Sequence, residues 1–424
     1  MVQSFIESLE SRRLLSGNVA AEMVNGSLVI VGDDAANSIL VQGELLDRNS
    51  ITITSPDGQT LLNGDTAPLS FSGITRHVVV RLRGGDDSLE LRNVNIKNDL
   101  RLDLGEGDDL FQTSDVLVRQ DLSLHGAGGD DEILITSTKV TRKTGIAAED
   151  GRDILLIVGG AFGGHVRMLG GSGNDAMGRY SARFLHDPEL ISGPGADQVN
   201  QPGMTFHYDF NNGRQGWHSG FADWRKADKD LHDFVAEPAA LPQEISKSKQ
   251  GYLLSGDNRT DDLFMFLTKT LTAPNGITPG QRYLATFDIE FASNALTGGF
   301  GVGGSAGDSV YLKAGASATG APSTALDEEG IYRLNLDHGQ QAGGGQDVSL
   351  VSTIANGLTP DHVTDPDNPP YRTIRQVHVH PTILQAEPSQ QIHLVIGTDS
   401  GFEATTSLYF MRVTVRLIPL PPAG

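Results

Sequence analysis

Six aspartates stand at a fixed interval of 22 residues: Asp87, Asp109, Asp131, Asp153, Asp175 and Asp197. Each follows by two positions a glycine of the same interval, Gly85, Gly107, Gly129, Gly151, Gly173 and Gly195. If each interval is one coil of a stacked structure, equivalent carboxylates lie about 4.8 Å apart. Unit charges at that spacing repel by about 0.9 kcal/mol in water and roughly 3 kcal/mol at an effective dielectric of 20. A hard dication would cancel that repulsion and accept carboxylate and turn-carbonyl oxygens, so calcium is the expected cofactor. The first three coils double the acid, with Asp86, Asp108 and Asp130, whereas the later ones carry Arg152, Asn174 and Ala196 there. The expected metal set is therefore Asp86, Asp87, Asp108, Asp109, Asp130 and Asp131, extended by Asp153 and Asp175. The competing reading is that these side chains cap turn amides, as aspartates in turns do.

Other residues are of types that could carry chemistry. In Val377-His378-Val379-His380 the two histidines share one strand face and would need a third ligand, with His362, His393 or Asp361 as candidates, to hold a transition metal; the plainer reading is solvent-exposed histidines. No His-Glu-x-x-His helix or phosphate loop occurs, and the Gly-x-Ser-x-Gly match Gly303-Gly304-Ser305-Ala306-Gly307 falls in a glycine-rich stretch with no helix-forming segment after it, so no catalytic residue is assigned. Gly298 to Gly307 reads as a loop, because no apolar-striped helix follows it. An enzymatic alternative, a polysaccharide lyase or hydrolase, would draw on Asp153, Arg152, Lys143 and Arg167. The aromatic set Trp217, Phe221, Trp224 and Tyr252 offers either a ligand platform, since an exposed ring complements the C–H face of a pyranose, or ordinary core packing.

The elements that must position these residues follow from the same period. Apolar columns run through Val80, Leu102, Leu124, Ile146, Met168 and Leu190, through Leu89, Phe111, Ile133, Leu155, Met177 and Val199, and through Ile96, Val118, Val140, Phe162 and Phe184. Within a copy the apolar residues alternate, as in Leu100, Leu102 and Leu104, the period of half-buried strands. One copy cannot bury its own face, whereas stacked copies can, which predicts a parallel β-helix, right-handed from its coil length. Residues 25 to 75 read as degenerate first coils or a cap. The segments Gly105-Glu106-Gly107-Asp108-Asp109 and Gly170-Gly171-Ser172-Gly173-Asn174-Asp175 resemble the turns of hemolysin-type calcium-binding repeats, but with one such turn per 22 residues instead of two per coil.

The repeat ends at Val199, and Asn200-Gln201-Pro202-Gly203 reads as a linker, giving domains at 25–203 and 204–424 behind an N-terminal segment, 1–24. Asp209-Phe210-Asn211-Asn212-Gly213 with Gly216-Trp217, and Thr278-Pro279-Gly280-Gln281-Arg282-Tyr283 before an alternating strand, resemble galactose-binding-like jelly rolls of carbohydrate-binding modules. That likeness implies an antiparallel β-sandwich with Trp224, Trp217 and Tyr252 as candidate glycan contacts. Leu9-Glu10-Ser11-Arg12-Arg13-Leu14-Leu15-Ser16 resembles the Leu-Glu-Pro-Arg-x-Leu-Leu-Ser motif of planctomycete surface and secreted proteins, with Ser11 in place of proline. It implies secretion or a cell-surface location, which composition alone does not, as no apolar signal core is present.

The 424 residues carry a net charge of −21. Such a balance excludes nucleic acid and anionic membrane surfaces as partners. No run of 18 apolar residues offers membrane insertion, and the absence of cysteine rules out disulfides and thiolate metal sites. The sequence therefore reads as an all-β extracellular structural or adhesion protein, stabilised by calcium, with a partner that is a glycan or another cell-surface component.

Overall fold

A computed structural model describes residues 17–43, 50–259, 262–389 and 391–420. The N-terminal motif at 9–16 lies outside the described residues. The chain divides into two compact units, Met1–Asn200 and Gln201–Gly424.

The first unit is a β-solenoid of three parallel sheets. One sheet stacks Val78–Arg81, Leu100–Glu106, Leu122–Gly128, Thr144–Asp150, Val166–Ser172 and Glu189–Ile191; a second runs from Ser88–Arg92 to Gln198–Val199; a third, of two-residue strands, runs from Asn95–Ile96 to Arg183–Phe184. Register advances by one repeat per coil: Leu102 pairs with Leu124, Leu124 with Ile146, and Ile146 with Met168. The expected columns are the interior. Leu102, Leu124, Phe111, Ile133, Leu155, Val118 and Val140 are buried in one continuous core. The columns thin out at the last coil, where Leu190 and Phe184 are partly covered and Val199 is 39% exposed.

The preceding region is both first coil and cap. Ser27–Val31 joins the first sheet in parallel with Val78–Arg81, and Ser38–Gly43 joins the second beside Ser88–Arg92. Asn18–Val24, Ile51–Thr54 and Leu69–Phe71 then pair antiparallel and turn the stack out of its parallel register.

The second unit is a sandwich of antiparallel sheets. In one, Val235–Ala240, Gln250–Asp257, Thr405–Leu420, Arg282–Ser293 and Arg372–Val379 are neighbours in that order, with Met204–Asp209 added along Thr405–Leu420. In the other the order is His218–Ala222, Leu263–Leu271, Ile392–Ser400, Val310–Ser317 and Val348–Thr353. Alternation along Arg282–Ser293 sends Phe287, Ile289 and Phe291 into the shared core and leaves Asp288 and Glu290 on the outer face. The segment Pro279-Gly280-Gln281-Arg282-Tyr283 works as a lock: Tyr283 is buried and its hydroxyl accepts the Thr278 amide at 3.1 Å. A short third sheet, Trp224–Arg225, Ile331–Leu334 and Thr324–Leu326, is accompanied by a second small core around Phe264, Phe266 and Leu336.

Candidate functional site

The repeated glycine is a close-approach residue. Gly107, Gly129, Gly151 and Gly173 have φ between 128° and 149°, and a Cβ on them would sit 2.3, 2.1, 1.8 and 1.5 Å from the carbonyl oxygen of the glycine one coil earlier. The aspartate two positions later turns inward. Asp87, Asp109, Asp131, Asp153 and Asp175 are buried, and each Oδ1 accepts a backbone amide of the preceding coil: Asn37 to Asp87 at 2.6 Å, Asp87 to Asp109 at 2.8 Å, Asp109 to Asp131 at 3.0 Å, Asp131 to Asp153 at 2.9 Å and Asp153 to Asp175 at 3.0 Å. Asp197 continues the ladder by accepting the Asp175 amide.

The other carboxylate oxygen of these five buried aspartates is enclosed with no hydrogen-bond partner. In Asp131 and Asp175 it lies 2.2 and 2.4 Å from where a Cβ of Gly126 and Gly170 would stand. Burial, only partly offset by the amide bonds, pushes Asp87, Asp109 and Asp153 up to about 7 and Asp131 up to about 8. The amide caps give each stacked carboxyl one partner in place of water, and burial raises its affinity for a proton. This inner row does not fit a calcium site, because its carboxyls come singly, one per coil. Among the described residues no group of three or more His, Asp or Glu is arranged to hold a metal.

The doubled acids form a second, exposed row running in the opposite sense. Asp86 accepts the Asp108 amide at 3.0 Å, Asp108 the Asp130 amide at 2.8 Å, and Asp130 the Arg152 amide at 2.8 Å, with the Arg152 guanidinium also on Asp130.

The aromatic platform requires correction. Trp217 is 1% exposed, Tyr252 0% and Trp224 9%, so none presents a face to a sugar. Trp217 meets Tyr208 and Phe210 edge-on inside the sandwich, and Trp224 stacks on Tyr332 at 4.5 Å beside Phe234. The histidine pair does share a face, but it is buried where exposure was the plainer expectation: the Ser349 hydroxyl lies 2.7 Å from His378 Nε2 and 3.0 Å from His380 Nδ1, and burial pushes His380 down to about 4. His393 is separate, bonded to Thr270. The constellation weighed for catalysis does not assemble either, because Asp153 is sealed in the ladder and Arg152 is engaged with Asp130.

Two features of the second unit escaped sequence reasoning. The first is a groove of about 450 Å³ on the outer face of the larger sheet. Asp288 and Glu290 of the central strand project into it, each held by an arginine from a neighbouring strand. Arg375 grips Asp288 at 2.7 and 2.5 Å, and Arg412 grips Glu290 at 3.0 and 2.5 Å. His207 and Thr414, joined at 3.1 Å, extend the polar floor. Both arginines are more than 60% exposed, and exposed pairs stabilise a fold by only about 0–1 kcal/mol. The two forks leave planar donors and acceptors facing the groove.

The second is a buried ionic network. Lys313 and Asp399 are both fully buried, 2.7 Å apart. His338 lies 3.1 Å from Asp223 and 3.7 Å from Asp399, and Arg333 reaches Asp223 at 2.7 Å. Burial opposes the charge on His338, but the neighbouring carboxylates of Asp223 and Asp399 prevail and push it up to about 9. The visible signals in sequence were a lysine inside the apolar strand Val310–Ser317 and an aspartate near the end of Ile392–Ser400.

No protein-family model and no curated protein matches the chain. Among solved structures, the K1 cleaved adhesin domain of Lys-gingipain from Porphyromonas gingivalis W83 is similar over 52% of this chain and 100% of its own, at 13% identity and a TM-score of 0.23. The enzymatically active domain of tailspike protein 4 of bacteriophage CBA120 is similar over 81% of this chain and 56% of its own length, at 9% identity and a TM-score of 0.26. Likenesses this remote carry no argument about function.

Proposed function

We propose that the chain is a non-catalytic protein of the cell surface or extracellular space, with a solenoid that serves as spacer and a sandwich that binds a glycan in the groove around Asp288, Glu290, Arg375 and Arg412. The observation that carries this reading is the groove's pair of arginine–carboxylate forks on adjacent strands, which present fixed donors and acceptors to the vicinal hydroxyls of a sugar at little ordering cost. Trp217 and Trp224 are core residues, so Trp224→Ala would lower stability and not a glycan contact. A glycan array followed by titration calorimetry tests the reading. Arg412→Ala and Glu290→Gln should each weaken the best ligand at least about tenfold, which is 1.4 kcal/mol.

Calcium enters this proposal as a counterion that screens the exposed row Asp86, Asp108 and Asp130, the part of the acidic edge that solvent reaches, with no preformed ligand cage there among the described residues. The thermal midpoint of the whole chain should rise with millimolar calcium relative to chelator, and Asp108→Asn should diminish that rise where Asp197→Asn does not. An unchanged midpoint removes calcium from the account without touching the groove.

A further inference from the structure

Asp399 lies on the central strand Ile392–Ser400 of the second sheet, between two neighbours that both present chemistry to it. On one side, Lys313 sits opposite Gly397, one diagonal step from Asp399 on the same face. On the other side, Phe264 sits opposite Asp399, which places Asp262, two residues earlier, on that face as well. The three groups meet. Lys313 Nζ donates to Asp399 Oδ2 at 2.7 Å, and the carboxyl of Asp262 is close enough to feel the charge of Asp399. The His338 carbonyl accepts from Nζ at 2.6 Å, and the Gln341 amide donates to Asp399 Oδ2 at 2.9 Å. The ring of His338 lies flat on Phe264, 4.4 Å between centroids. Neither Lys313 nor Asp399 is exposed at all.

A lysine and an aspartate wholly removed from water form an expensive pair, since desolvation of two charges offsets most of their attraction. The same contact also holds an amine nitrogen within hydrogen-bond reach of a carboxyl, with solvent excluded and both groups carried on paired strands, the proximity that makes an intramolecular reaction fast. We propose that Lys313 and Asp399 condense to an intramolecular isopeptide bond, with Asp262 as the acid that promotes it.

The step balances without an oxidant or a co-reactant. A proton passes from Nζ to the Asp399 carboxylate across their hydrogen bond, leaving a neutral amine and a neutral acid. Nζ attacks the carboxyl carbon while Asp262 donates a hydrogen bond to the carboxyl and draws electron density from that carbon. A C–N bond forms and a C–O bond breaks. The departing hydroxyl takes one proton from the nitrogen and leaves as water, and Asp262 ends as it began. Asp262 is suited to the task because burial, reinforced by the charges of Asp399 and Asp223, pushes its carboxyl up to about 7, so that it holds a proton near neutrality. Asp399 is the natural electrophile: burial works against its charge, and the nearby His338 ring and the ammonium of Lys313 hold it below the usual carboxylate range until the proton is handed over. The product replaces two buried charges by one neutral amide and ties the strand Val310–Ser317 to Ile392–Ser400 covalently in a chain that has no cysteine for disulfides.

The test is intact mass and peptide mapping of the folded full-length protein. Wild type should be lighter than Lys313→Met by one water beyond the residue difference, and digestion should give a branched peptide joining the segments of Lys313 and Asp399. Asp262→Asn should yield the two peptides separately while its near-ultraviolet circular dichroism stays that of a packed sandwich. Separate, unmodified Lys313 and Asp399 peptides from folded wild type would overturn the proposal and leave an ion pair. A branched peptide that persists in folded Asp262→Asn would overturn the role given to Asp262.

Discussion

At the scale of single residues, the Gly-x-Asp unit of the solenoid is a packing device. The glycine has no Cβ because the previous coil's carbonyl occupies that space, and the aspartate caps the previous coil's amide. Gly151→Ala should therefore cost about 3 kcal/mol or more, because the methyl group would meet backbone at 1.8 Å and neither coil can move alone. Gly145→Ala, with nothing within 4 Å of the new methyl, should be near neutral. For a unit of this size the first change lowers the thermal midpoint by roughly 6–12 °C, measurable by circular dichroism. The sequence pattern was plain at these positions, yet two physical causes, close approach and metal turns, ask for the same residues. Which one operates is decided by where the carboxyl points, and a one-letter pattern does not contain that.

At the scale of elements, stacking aspartates makes the solenoid sensitive to pH. The ladder carboxyls titrate near 3.8 when unfolded and at about 7 to 8 when folded, so the folded state holds protons that the unfolded state has lost. Their contribution to stability is fully present below about pH 4, declines as pH rises, and is gone above the folded values near 8. The midpoint of the first unit should fall between pH 5 and pH 8.5. Asp131→Asn, which keeps a carbonyl for the Asp109 amide and cannot ionise, should make that fall shallower by several degrees. An equally steep fall in the variant would show that the ladder is not its source. The strands themselves were legible because an unbroken period fixes which residues share a column. The first coil was less so, since Leu28 pairs with Val78, fifty positions on, after an antiparallel insertion that no repeat announces.

At the scale of the molecule, two units with separate cores carry separate properties. The division near Pro202 was visible as the end of a period. The groove and the ionic network were not, because Asp288, Glu290, Arg375 and Arg412 look like ordinary outward residues of alternating strands, and only cross-strand pairing brings the forks together. The aromatic residues misled for a related reason: a tryptophan beside Arg225 and Lys226 reads equally as surface or core until its neighbour Tyr332, far along the chain, covers it.

The claim on which the functional account rests is that the outer face of the sandwich binds a glycan through its arginine–carboxylate forks. The most direct measurement is calorimetric titration of the full-length protein, wild type and Arg412→Ala, with the polysaccharide selected on a glycan array. The account predicts saturable binding that weakens at least about tenfold in the variant at an unchanged thermal midpoint. Equal affinity in both proteins, or no glycan retained by wild type, would contradict it.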